Sequence, residues 1–477
     1  MKSGKKEILV ILLSVTVGLI LVGYWLFHNP VVDFTINNPG MDNRPDSLSE
    51  SSEKVTIGEE FILLSESIPI SEGGKWTRFR GADFDNIEKK ETGLIDKFPE
   101  NGPDILWEVD LGEGHAAPAV QNGKVYILDY LEAEKADALR CFDLNTGEEL
   151  WQRKYKVHIK RNHGMSRTVP AITEDFIITI GPKGHVMCNN PQTGEFLWGM
   201  DLVAKYHTEI PFWYTGQCPL IDSGIAIIAP GGTSLLIGVD CKTGEIVWET
   251  PNTHKIGMSH SSIMPMKLDG KNTYVYAGIG GICGISAEPE NMGEILWFFK
   301  DFAPNVVAPS PLIIDDNTIL MTAGYGAGGV VFSINKSDGK YIAVLDHIYK
   351  PKEGIASEQQ TPILFEDHIF TILPKDAGGN RNQFVCSHSS DCKQILWTSG
   401  KKERYGLGPY ILADGKFFIL KDDGTLSIAE ASTKEFKLLD KYKIMDGHDA
   451  WGPLAIVDGK LLMRDSKKML CINIRKS

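Results

Sequence analysis

The chain has 477 residues, too many for one ordinary core and suited to a repeat array or to two or three domains. Hydrophobic residues make up 42% and charged residues 23%, the composition of a folded protein. The formal net charge of −13 repels phosphates, which argues against nucleic acid or an anionic lipid surface as partner.

Residues 8–27, ILVILLSVTVGLILVGYWLF, carry no charge. Twenty helical residues span roughly 30 Å, the hydrocarbon thickness of a bilayer. Lys2, Lys5 and Lys6 precede the run, and Asp33, Asp42 and Asp46 follow it with Arg44 alone among them. The positive-inside rule then expects a cytoplasmic tail at 1–7, a single-pass anchor at 8–27 and the rest of the chain in the periplasm or outside the cell. A cleaved signal peptide is the rival reading, but its apolar core is shorter and ends in a small-x-small site, whereas this run ends in YWLFHNP. Residues 28–74, rich in Asn, Pro, Ser and acids, read as a solvated linker. Within them FILLSESI, 61–68, is apolar enough to pair as a strand or to pack on the domain behind it.

From there a phrase repeats. NTGEELW ends at Trp151, QTGEFLW at Trp198 and KTGEIVW at Trp248. Weaker copies end at Trp297, Ala343, Trp397 and Leu438. Between the copies, a proline opens an apolar–turn–apolar segment at Pro118, Pro170, Pro219, Pro265, Pro311, Pro362, Pro409 and Pro453. Successive prolines are 52, 49, 46, 46, 51, 47 and 44 residues apart, so one supersecondary unit recurs. Each unit reads as four short strands, which is a propeller blade. The last unit stops at MLCINIRKS without a fourth strand, while ILWEVD around Trp107 is a fourth strand that precedes the first unit. The expected fold is all-β: an eight-bladed propeller of four-stranded antiparallel blades over 75–477, closed by the strand at 104–111 and preceded by the transmembrane helix. Trp107, Trp151, Trp198, Trp248, Trp297 and Trp397 are expected to dock flat between blades.

CFDLNTGEELW (141–151) and GVDCKTGEIVW (238–248) resemble the tryptophan-docking motif of the pyrroloquinoline quinone (PQQ) repeat, and the resemblance covers about 75–477. Such repeats build quinoprotein alcohol dehydrogenases and the non-enzymatic outer-membrane assembly lipoprotein BamB. WTRFRGADFDN (76–86) and HGMSRTVPA (163–171) look more like anchored or secreted PQQ-like propellers of environmental bacteria. The dehydrogenases use two adjacent cysteines that form a ring disulfide over the quinone, and some have a C-x-x-C-H haem site. No two of the eight cysteines here adjoin, and no C-x-x-C-H occurs. A calcium-ligating Glu/Asn pair and a catalytic Asp do not align. The resemblance therefore implies a binding or scaffold module without a cofactor, since PQQ lacks its required residues; the alternative is a quinoprotein-like oxidoreductase or small-ligand sensor. BamB's lipid-anchor cysteine is also missing, because the first cysteine is Cys141.

Cys141, Cys188, Cys386 and Cys471 share one register in their third strands, where a small apolar residue fits between blades. Cys386 and Cys392 flank one turn within bridging reach, and the eight cysteines match no zinc spacing. The glycine clusters GIGGICG (278–284) and GYGAGG (324–329) precede strands rather than helices, so they read as tight strand ends and not as phosphate loops. The loops before the proline strands all reach one face around the axis. They supply His115, His163, Arg167, Trp213, Tyr214, His260, Glu358, Gln359, Arg404, Tyr405, His448, Asp449 and Trp451 as candidate ligand-binding residues. The competing reading is a hydrogen-bonded plug of the channel. Arg167, Trp213, His260, Arg404, His448 and Trp451 are expected in one cluster, its two arginines favouring a carboxylate-bearing ligand or an acidic peptide. No catalytic residue and no metal site are expected.

Overall fold

The computed structural model describes residues 3–27, 55–71 and 73–476. The expected linker at 28–54 lies outside the described residues. The chain divides into two units, Met1–Lys54 and Val55–Ser477.

In the first unit, Ser3–Phe27 is an α-helix. Among the described residues no helix is long and apolar enough to cross a membrane.

The second unit is an eight-bladed propeller. Its four-stranded antiparallel sheets cover 119–156, 171–201, 220–251, 264–299, 312–349, 363–398, 410–443 and 455–473, numbered here blades 1 to 8. Asp104–Asp110 pairs antiparallel with Lys468–Asn473 as the fourth strand of blade 8, so a strand from the start of the domain closes the ring. The first strands of blades 8 and 1, 1 and 2, and 2 and 3 touch one another, which places them innermost. Two blades gain a fifth strand. Glu60–Leu63 pairs antiparallel with the rim strand Glu149–Lys156 of blade 1, so this part of the expected linker is a strand. Ile87–Glu88 pairs in parallel with the first strand of blade 7. One short helix, Leu202–Tyr206, follows the blade 2 rim and is capped by the Asp201 side chain.

The repeated phrase has a packing cause. The turn glycine adopts a left-handed φ of 72° at Gly147, 71° at Gly194, 74° at Gly244 and 83° at Gly293. Its bare Cα receives the indole of the preceding blade: a Cβ would lie 2.7 Å from Trp107 at Gly147, 3.0 Å from Trp151 at Gly194, 2.6 Å from Trp198 at Gly244 and 3.0 Å from Trp248 at Gly293. Trp107 Nε1 donates to the Leu144 carbonyl at 2.8 Å and Trp198 Nε1 to the Cys241 carbonyl at 2.8 Å. On its own sheet each indole lies across a small residue. The pairs are Cys471 with Trp107, Cys141 with Trp151, Cys188 with Trp198, Gly238 with Trp248, Gly284 with Trp297 and Cys386 with Trp397. The shared cysteine register is thus a size requirement. All eight cysteines are free and buried, Cys386 and Cys392 included, and burial pushes their thiols up. Where the receiving blade lacks its own tryptophan the contact changes: Trp297 meets Phe332 of blade 5 edge-on, and Trp397 meets Phe436 of blade 7.

The apolar residue just before each docking tryptophan breaks strand alternation, and a β-bulge explains it. In seven blades the pairing of third and fourth strands shifts register at this point, as between Cys188 and Asn189 or Gly284 and Ile285, and in blade 5 it shifts later along the fourth strand, between Val331 and Phe332 of the third. The extra residue re-aims the following side chain and twists the rim.

Gly244→Ala combines a left-handed backbone with a collision against Trp198, so it is expected to cost about 1–2 kcal/mol for the backbone and about 1–3 kcal/mol for overpacking. Gly224→Ala, with φ of 80° and open space around its Cα, is expected to show the backbone cost alone. Denaturant midpoints of the two variants check this: equal losses would remove the docking contact from the account.

Candidate functional site on the propeller axis

Two layers close the axis. The deeper one is the lead-in 76–88. Trp76 pairs with Val120 of blade 1, and the Thr77 carbonyl accepts from the Ile172 N–H of blade 2 at 2.8 Å. Arg80 donates to the Thr361 and Pro362 carbonyls of blade 6 at 2.8 and 2.9 Å, and Asn86 bonds the Tyr410 carbonyl of blade 7 at 2.5 Å. Blades 2 and 6 lie opposite in an eight-membered ring, so this segment spans the axis. Arg80 is 3% exposed and also donates to the carbonyls of Phe84 and Asp85. Burial pushes its guanidinium down to about 10. Above it, a belt of hydrogen bonds joins the residues ahead of the proline strands. Val169 N–H donates to Cys218 Sγ, Cys218 N–H to Ser262 Oγ, Ser262 N–H to Ser310 Oγ and Ser310 N–H to Thr361 Oγ1. Blades 7, 8 and 1 have Gly408, Gly452 and Ala117 there and offer no such acceptor. The fully buried Arg464 fills that arc instead, donating to the carbonyls of Gly112, Ala116, Asp465 and Ser466.

The outer layer is a circuit of the predicted side chains. His115 Nε2 lies 3.0 Å from the His163 carbonyl, and the His115 ring is 4.9 Å from that of Trp451. Arg167 donates to the carbonyls of His163 at 2.6 Å and Trp213 at 2.5 Å. The Trp213 ring lies 6.3 Å from His260 and stacks on Tyr325 at 5.7 Å. Lys375 lies over Tyr325 at 5.0 Å and 3.5 Å from Glu358. Gln360 donates to the Trp451 carbonyl at 3.0 Å, and Trp451 Nε1 to Asp422 at 2.8 Å, which completes the ring. Tyr214 joins it through an O–H bond to the Lys160 carbonyl.

Several expectations need correction. Arg404 stands apart, because the insertion after the second strand of blade 6 captures its guanidinium at the carbonyls of Gly379, Arg381 and Lys401. Tyr405 is 1% exposed and packs in the blade 6–7 core. His448 and Asp449 pair with each other at 2.9 Å, with the His448 side chain largely in solvent. Gln359 is half-buried, and its neighbour Gln360 makes the cross-ring bond. The face therefore holds one arginine of the expected two, and neither arginine pairs with Glu358, Asp446 or Asp449. Tyr325, Lys375 and Asp422 were missed because they sit in the connections between second and third strands, and Arg464 because it ends the second strand of blade 8. Those connections reach the same face, so the repeat register was the signal available. Among the described residues no group of three or more His, Cys, Asp or Glu is arranged to hold a metal ion.

Electrostatically the face is quiet. Burial, then Arg167, pushes His260 down to about 3, and burial with Arg167 and Arg464 pushes His115 well below the usual histidine range. Burial raises the Glu358 carboxyl, whose Oε2 has no partner. Beside Trp213 and His260 a cavity of about 30 Å³ remains, room for a water and not for a metabolite.

These are the marks of a PQQ-like propeller: eight blades, indoles docked on turn glycines and a strand from the start of the domain closing the last blade. The family of outer membrane protein assembly factor BamB matches residues 100–213 and 182–437, and the chain belongs to it. No curated protein matches the chain. Among solved structures, BamB from Moraxella catarrhalis is 12% identical with a TM-score of 0.51, covering 78% of this chain and 99% of that one. Quinohemoprotein alcohol dehydrogenases from Comamonas testosteroni and Pseudomonas putida HK5 are each 12% identical. Their TM-scores are 0.57 and 0.56, with 84% and 86% of this chain and 81% and 83% of theirs covered. At that identity the likeness concerns the fold.

Because His260 is neutral when folded, with its value moved from 6.5 to about 3, its contribution is complete above pH 6.5 and is lost as pH falls toward 3. Urea midpoints at pH 7 and pH 4.5 are expected to differ less in His260→Gln than in the parent; an unchanged difference would count against a buried neutral imidazole.

Proposed function

We propose that this protein is a non-catalytic scaffold propeller that binds other proteins outside the cytoplasm, tethered to the membrane by residues 8–27 with the tail 1–7 inside. Membership in the assembly-factor family supports the scaffold role. The uncharged sequence of 8–27 supports the tether, as do the exposed apolar side chains from Leu12 to Phe27. The observation that carries the non-catalytic reading is how the axial arginines are used. The hydrogen bonds of Arg80, Arg167 and Arg464 all end on backbone carbonyls, and 76–88 occupies the axis where a quinone would need room. The residues do not fit PQQ: the cysteines are dispersed through buried strands, and the circuit offers no metal-ligand cluster among the described residues.

One observation favours a second reading, a ligand sensor on the central face. Tyr325 is 54% exposed in a left-handed conformation, stacked on Trp213 near Arg167 and near the unpartnered oxygen of Glu358. Two measurements separate the readings from an enzyme. The full chain mixed with PQQ and calcium is expected to show no quinone absorbance change and no dye-linked alcohol oxidation. Alkaline extraction of cells is expected to leave the chain in the membrane, with the propeller open to external protease. Release at high pH would remove the tether, and oxidation activity would remove the scaffold.

A further inference from the structure

A closed ring has no lateral edges, but every blade turns one rim strand outward, and such edges invite strand addition. In most blades the rim defends itself. The bulge sits near the turn and leaves regular pairing over only a few residues, as at Trp198–Asp201 opposite His185–Cys188 or at Trp297–Phe299 opposite Ile282–Gly284. Two rims differ. In blade 1 the bulge is followed by six regular residues, 151–156. In blade 5 the bulge falls late, between Val331 and Phe332, and is preceded by six regular residues, 340–345.

The blade 1 run is covered by the chain itself. The covering strand is acid-flanked and apolar: Glu59 and Glu60, then FILL, then Glu66. It meets a basic rim, with Phe61 under the Arg153 guanidinium at 4.6 Å and Glu60 3.7 Å from Lys154. The blade 5 run packs against the blade 4 rim strand Ile295–Phe299, but among the described residues no further strand pairs with its outer edge. Its rim strand Lys340–Tyr349 exposes Ile342 at 49%, Val344 at 40%, Leu345 at 39% and Ile348 at 49%, whereas no other rim strand exposes more than two large apolar side chains. Lys340 opens the strand and Lys350 and Lys352 follow it, none of them ion-paired among the described residues, while of the two acids beside the run Asp338 lies in the turn and Asp346 accepts from Ser333 Oγ.

We infer that the blade 5 rim, 340–345, is a docking edge for an extended, apolar, acid-flanked segment of a partner protein, added as a fifth antiparallel strand in the way Glu60–Leu63 is added to blade 1. Main-chain bonds supply the attachment, and the flanking lysines select the charge. This names a surface for the scaffold reading and rests on that reading for its partner.

The test uses the full chain in detergent. It is titrated with a labelled peptide of sequence IGEEFILLSESI, the blade 1 cover (57–68), and with the same peptide carrying Lys in place of Glu59, Glu60 and Glu66. The acidic peptide is expected to bind saturably, to weaken with salt and to slow hydrogen exchange at 340–345. The lysine version, and the acidic peptide against Lys340→Glu/Lys350→Glu protein, are each expected to bind at least tenfold more weakly at unchanged Tm. Equal binding of both peptides, no binding, or protection confined to blade 1 overturns the inference. So does protection at 340–345 that appears on concentrating the protein alone, which would assign the edge to a second copy. The scaffold reading fails differently: the peptide protects 340–345, but a photocrosslinker at Val344 in cells yields no protein adduct.

Discussion

The propeller depends on one contact, a flat indole lying on a glycine of the next blade. A large ring buried at a blade interface contributes on the order of 2–3 kcal/mol, but only if the facing backbone comes close enough to exclude water. A Cβ at Gly147 or Gly244 would sit inside contact distance of the ring. The glycine is therefore required twice, once for its left-handed turn and once for its bare surface. The small residue across the sheet, Cys141, Cys188, Gly238 or Gly284, meets the same demand from the other side. Three sequence features that look separate are one packing unit: the turn, the tryptophan and the odd cysteines. The bulge before each tryptophan sets its aim.

What repeats was legible, and what occurs once was not. Eight prolines and six tryptophans announced blade number, strand order and the closing strand, because every unit states the same pattern again. WTRFRGADFDN has no counterpart elsewhere in the chain, so nothing in its own residues said that Arg80 would reach blade 6. The candidate ring shows the same division. Equivalence between blades correctly brought Arg167, Trp213, His260 and Trp451 to one face. It failed at Arg404, where an insertion peculiar to blade 6, 373–383, offers two carbonyls that no other blade presents. It failed at Tyr405 because that ring finds an apolar niche beside Phe384.

The axis shows how a ring of sheets ends its innermost strands. First strands at the axis leave backbone carbonyls without ladder partners, and a buried carbonyl without a donor costs about 1–3 kcal/mol. A guanidinium carries five donors in a rigid plane, so one arginine serves several such carbonyls at once. Arg80, Arg464 and Arg167 do this at three depths or sides of the axis. Hydroxyls do the complementary job where the loop before the proline strand carries Ser or Thr, accepting from backbone N–H groups of the blade before, and Arg464 donates to carbonyls in the arc where that position is Gly or Ala. This accounting commits the donors of all three arginines to the chain's own backbone.

Closing the ring moves the edge problem outward. Each blade keeps one open rim, and the device that aims the tryptophan also interrupts the rim, so seven blades protect themselves through the motif that holds them together or, in blade 1, through a strand laid over it. Blade 5 lost the motif. Ala343 stands where the tryptophan would be, the bulge moves to Asp346, and the hairpin lengthens to Gly328–Ser337 and Lys340–Tyr349. A blade that gave up docking its neighbour with an indole thus kept a straight, apolar edge facing solvent. An edge of that kind persists only when it is occupied or guarded, and here the charged guards, Lys340, Asp346 and Lys350, leave the run 341–345 between them uncharged.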